Sequence, residues 1–110
     1  MKIPNKVKIG TVEYKILEKD IEKIDVFNIG KTLDGETYKM GECHFVYGEI
    51  SVIDKLKPDI KWHTVMHEIA HAMIRHYGIK TENEENTCNF ISAVVLQFIN
   101  DNIEEIKWKE

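Results

Sequence analysis

Pro58-Asp59-Ile60-Lys61-Trp62-His63-Thr64-Val65-Met66-His67-Glu68-Ile69-Ala70-His71-Ala72-Met73-Ile74-Arg75-His76-Tyr77-Gly78 is the stretch from which the rest of the chain can be read. Pro58-Asp59 supplies a helix start, with Asp59 as the expected N-cap, and Gly78 supplies a stop after Tyr77, so the spacing predicts one helix over residues 59–77. Projected at about 100° per residue, Trp62, Val65, Met66, Ile69, Met73 and Tyr77 form one apolar stripe, while His63, His67 and His71 lie on the other side. The helix therefore has a face for a core and a face for chemistry. Within it, His67-Glu68-Ile69-Ala70-His71 is a complete H-E-x-x-H motif. Residues four apart stack on one helix face, so both imidazoles can reach one tetrahedral Zn²⁺ with Glu68 beside it as general base. His76 falls off that face.

Working upstream, Val7, Ile9, Val12, Tyr14 and Ile16 alternate with polar residues around Gly10-Thr11, which predicts two strands joined by a two-residue turn. A short helix or irregular strand over residues 20–27 and a turn at Asp34-Gly35 are expected next. Residues 43–47 and 50–53 read as extended, reversing at Gly48-Glu49. Downstream, a last helix is expected over about residues 82–103. Its apolar residues Phe90, Ile91, Val94, Val95, Leu96, Phe98 and Ile99 cover most of the circumference and predict deep burial. Strands followed by helices indicate an α+β domain spanning residues 1–110, with the two helices packed together on one face of a small, mainly antiparallel sheet.

Composition narrows the classes of function. A hydrophobic content of 43% is enough for one continuous core in a single domain. A net charge of −4 disfavours nucleic acid as a partner, because such binding needs a basic footprint. The apolar run over residues 90–99 is interrupted by Ser92 and Gln97 and is too short to span a bilayer, so no membrane partner is expected. The only cysteines are Cys43 and Cys88, and no secretory leader is recognisable at the N-terminus, which points to a reduced, cytoplasmic setting. Cys43-His44 reads as a small buried residue and a strand histidine rather than as a metal pair.

A catalytic zinc keeps three protein ligands and one open position, so His67 and His71 need a third partner. Thr81 and Glu84 stand in the T-x-x-E relation of a capping box, which gives Glu84 a structural task and leaves Glu85 as the expected ligand. Glu84 itself, Asp54 and His44 are the alternatives. Glu85 shares its helical face with Cys88, Asn89 and Ser92, whose small size lets this helix approach the histidine helix.

The motif helix followed by Glu84-Glu85-Asn86-Thr87-Cys88-Asn89-Phe90-Ile91-Ser92 resembles the H-E-x-x-H and E-x-x-A-N-x-F-A pattern of the ImmA/IrrE family of zinc-dependent metallopeptidases, in particular the small stand-alone members of phages and prophages. In this alignment Glu85 takes the family Glu, Cys88 the Ala position, Asn89 the Asn, Ile91 the Phe and Ser92 the last small residue. The resemblance covers about residues 59–102. It implies a zincin-like fold and a protein substrate.

The expected function is zinc-dependent hydrolysis of a protein or peptide substrate, with Zn²⁺ on His67, His71 and Glu85 and with Glu68 moving the proton. The edge of residues 50–54 is the expected place for strand addition by the substrate, and His44, Tyr47 and His63 are the candidates for stabilising the oxyanion. The alternative is a non-catalytic, zinc-stabilised binding module of a phage or mobile element. Glu68 speaks against it, since a structural site has no need of a carboxylate beside an open position.

Overall fold

Apolar alternation draws the first two strands, β1 (Lys6–Ile9) and β2 (Val12–Lys19), which pair antiparallel through a turn in which Gly10 takes φ +62°. The computed structural model describes residues 2–20 and 40–106, so the elements expected over residues 21–39, the Asp34-Gly35 turn included, lie outside the described residues. Two further strands follow, β3 (Gly41–His44) and β4 (Glu49–Ile53). Their reversal occupies residues 45–48 with Gly48 at φ +63°, so β3 ends three residues before Tyr47 and β4 begins at Glu49.

The sheet is mixed, not mainly antiparallel. Its order is β1-β2-β4-β3, and β2 pairs parallel with β4, from Lys15 opposite Glu49 to Lys19 opposite Ile53. The composition of β4 explains its central place. Ile50, Ser51, Val52 and Ile53 are all buried, the pattern of a strand covered on both faces. β3 carries Glu42 and His44 and takes the end of the sheet. The edge expected at residues 50–54 is thus an interior strand, unable to accept another.

The long helix α1 (Pro58–Tyr77) has Lys57, not Asp59, at its N-cap. A residue before proline is held extended, here at φ −58° and ψ 147°, while Pro58 suits the first helical position because the amide it lacks would have no partner there. Asp59 lies in the first turn, its carboxylate accepting from the Ile60 amide. At the other end Gly78 adopts the left-handed conformation and closes the helix, as expected.

α1 is buried on two sides. Val65, Ile69 and Ala72 join Ile9, Tyr14, Ile16, Ile50 and Val52 in the core against the sheet. Ala70 and Ile74 pack instead on Cys88 of the helix α2 (Glu84–Asp101). Met73 and Tyr77 of the expected stripe are exposed, because a projection onto one core cannot anticipate a second helix drawing on the neighbouring face. Two polar ties fix the helix on β2: Lys61 Nζ donates to Glu18, and Tyr14 pairs with His76 Nε2 at 2.8 Å.

α2 begins at Glu84 and is followed by a short α3 (Ile103–Ile106). Its expected deep burial does not occur. Only Cys88 and Ser92 are buried, while Phe90 is 68%, Val94 48% and Phe98 62% exposed. Cys88 and Ser92, with Ile91 beside them, form the face that meets α1, while Phe90, Val94 and Phe98 are exposed. No helix among the described residues is long and apolar enough to cross a membrane.

Candidate metal centre

Helical spacing on α1 and the start of α2 together build one cleft of about 520 Å³, whose walls include His63, His67, Glu68, His71, Glu84, Glu85 and Asn89, with Gly41, Cys43 and Phe45 on the β3 side. The two motif histidines face each other with Nε2 atoms 3.2 Å apart and rings crossed at 72°. Glu85 bridges them, Oε2 lying 2.9 Å from His67 Nε2 and Oε1 2.8 Å from His71 Nε2. His67, His71 and Glu85 are therefore brought together as expected.

Glu84 has a different place from the one its capping-box spacing implied. The N-cap of α2 is Asn83, whose side chain accepts from the Asn86 amide at 3.0 Å, so Thr81 and Glu84 form no capping box. This start makes Glu84 and Glu85 the first two helical residues. Glu84 Oε2 lies 2.5 Å from His71 Nδ1. A carboxylate only accepts, so Nδ1 carries a proton, the tautomer in which a ligating imidazole offers its Nε2 lone pair. Orientation of a metal-ligating histidine by an outer carboxylate is the arrangement such ligands favour.

His71 Nε2 faces a carboxylate oxygen at 2.8 Å and a second imidazole nitrogen at 3.2 Å, contacts that need a proton or a cation between them. A proton serves one pair of atoms; a divalent cation serves all three residues. Zinc bonds of about 2.0–2.2 Å place tetrahedral donors roughly 3.3–3.5 Å apart, a triangle slightly larger than the one present. The donor set, two imidazoles and a carboxylate, suits Zn²⁺.

Glu68 is 8% exposed and lines the same cleft. Its surroundings depend on Gly41, a position with no sequence signal. A Cβ there would come within 2.7 Å of Thr64 Cγ2 and 3.4 Å of Glu68 Cγ, so a glycine is what lets β3 lie against this turn of α1. His63 is held on the cleft wall. The Ser92 hydroxyl gives its single proton to the Asn89 carbonyl at 3.0 Å, so His63 Nε2–H donates to Ser92 Oγ at 3.1 Å. Of the residues considered for the oxyanion, His63 alone lines the cleft; His44 pairs with Glu42 at 3.5 Å, and Tyr47 is exposed in the β3–β4 turn. Asp54 is also outside it, its amide closing the parallel ladder on the Lys19 carbonyl.

Both cysteines are free. Burial first, and then the negative charges of Glu84, Glu85 and Glu68, push the Cys88 thiol up to about 12. Burial and Glu68 act in the same direction on Cys43, which also rises to about 12.

The two acidic neighbours have separable roles. Glu85→Ala is expected to lose the metal, whereas Glu84→Ala should weaken it about 10–100-fold, the usual effect of removing an outer partner. Competition against a chromogenic chelator measures both. Unchanged affinity in Glu84→Ala would remove its orienting role.

Comparison with protein-family models, with curated proteins and with solved structures gives no match.

Proposed function

We propose that this chain is a zinc-dependent metallopeptidase of zincin-like type, acting on a protein or peptide substrate. The observation that carries the reading is the convergence of His67 Nε2, His71 Nε2 and the Glu85 carboxylate within one open cleft that also holds the buried Glu68. The resemblance to the ImmA/IrrE pattern supports the same assignment. His67, His71 and Glu85 would hold the zinc, which would supply Lewis acidity for activating a water and a peptide carbonyl. Glu68 takes the proton of the attacking water and returns it to the departing amine. Glu84 holds His71 in the ligating tautomer, and an extended substrate runs beside Gly41 and Cys43 of β3 rather than along β4.

The exposed Phe90, Val94 and Phe98 of α2 favour a second reading, a zinc-stabilised binding module. Glu68 is what separates the two, since hydrolysis needs a carboxylate beside the ion to move a proton.

Elemental analysis joined to a cleavage assay provides the test. The protein purified with zinc should hold close to one ion per chain. It should cleave an unfolded protein, lose that activity to a chelator and regain it with added Zn²⁺. Absence of bound metal under zinc-replete conditions, or cleavage that is indifferent to chelation, ends the peptidase reading.

A further inference from the structure

Cys88 lies one helical turn after Glu85 and is completely buried, at the point where α2 meets Ala70 and Ile74 of α1. Its sulfur does more than fill that contact. Ligand atoms of His67, His71 and Cys88 all lie within 4.8 Å of one another. The sulfur thus approaches the same two histidines that Glu85 bridges from the solvent side, where its own side chain is 68% exposed.

We propose that Cys88 Sγ is a fourth protein donor to the ion held by His67, His71 and Glu85. The inference rests on the zinc reading above and refines it. The donors of His67, His71 and Cys88, spanning up to 4.8 Å, are wider apart than a closed tetrahedron requires, since Zn–S bonds are about 2.3 Å and Zn–N bonds about 2.0–2.1 Å. Coordination requires the sulfur to move inward and the thiol proton to be released to solvent, the ion stabilising the thiolate that remains. With four protein donors the ion is shut off from water, and with three it is open. Cys88 therefore determines whether the ion rests in a closed form or presents the open position that hydrolysis uses. A sulfur donor also biases the site towards thiophilic ions such as Zn²⁺ and Co²⁺ and against Mg²⁺ or Mn²⁺.

Cobalt substitution tests this without reference to activity. The wild-type protein titrated with Co²⁺ should develop visible d–d bands together with a near-ultraviolet thiolate-to-cobalt charge-transfer band. Cys88→Ser and Cys88→Ala should each lose the charge-transfer band and keep d–d bands, whereas Cys43→Ser should keep both. Wild-type d–d bands without charge transfer would overturn the sulfur donor and leave the histidine–carboxylate site standing. Loss of the charge-transfer band in Cys43→Ser but not in the Cys88 variants would overturn it too, by assigning the sulfur to β3. A protein that gives no cobalt spectrum at all would remove the metal reading and this inference together.

Discussion

Glu68→Gln is expected to reduce peptide hydrolysis by about 10²–10⁴-fold, the usual contribution of a positioned general base, while the protein stays folded and zinc-loaded. The substitution keeps the shape of a side chain that is only 8% exposed, and it removes the negative charge and with it the ability to take up a proton. The proposed ligands are His67, His71 and Glu85, and Glu68 is assigned to proton transfer, so elemental analysis should return the wild-type zinc content. Equal cleavage by the two proteins would mean that the activity belongs to a contaminant. A variant that lost its zinc would mean that Glu68 is a ligand.

Removal of the metal should have the second large effect, on stability. The proposed ion joins α1 to the first turn of α2, two elements otherwise connected there by Gly78 and the few residues after it. A ligand that binds only the native state stabilises it by about 2.7 kcal/mol at one hundred times its dissociation constant. For a domain of this size that corresponds to roughly 10–20 °C in Tm. A strong chelator should therefore lower the Tm of the wild type by an amount of that order. His71→Ala, which removes both the ligating nitrogen and the partner of Glu84, should melt at the same temperature with and without chelator. Thermal scans of both proteins measure this, and coincident wild-type curves would exclude an ion that bridges the helices.

Short-range signals in the chain foretell its local geometry. The β1–β2 turn at Gly10, the end of α1 at Gly78 and the stacking of His63, His67 and His71 on one face all follow from residues within a turn or two of each other. So does the meeting of α2 with α1 through its small residues Cys88 and Ser92. Capping was also local, yet two signals competed. Pro58 and Asn83 set the helix starts where Asp59 and Thr81 were expected, because proline constrains the residue before it and asparagine caps strongly. That shift of α2 turned Glu84 from a capping residue into the partner of His71.

What the sequence determined by itself is that His63, His67 and His71 share one face of α1, because helical periodicity fixes which side chains lie together, whereas both Glu84 and Glu85 reach these histidines through the docking of α2. What only the tertiary structure decided is everything that depends on which elements become neighbours. The parallel pairing of β2 with β4, the close approach of Gly41 to Thr64 and Glu68, and the exposure of Phe90, Val94 and Phe98 belong to this class. Hydrophobic burial is non-directional, so an apolar residue specifies that it prefers to be covered and not by what. Strand order and helix docking are settled by how all the faces pack at once.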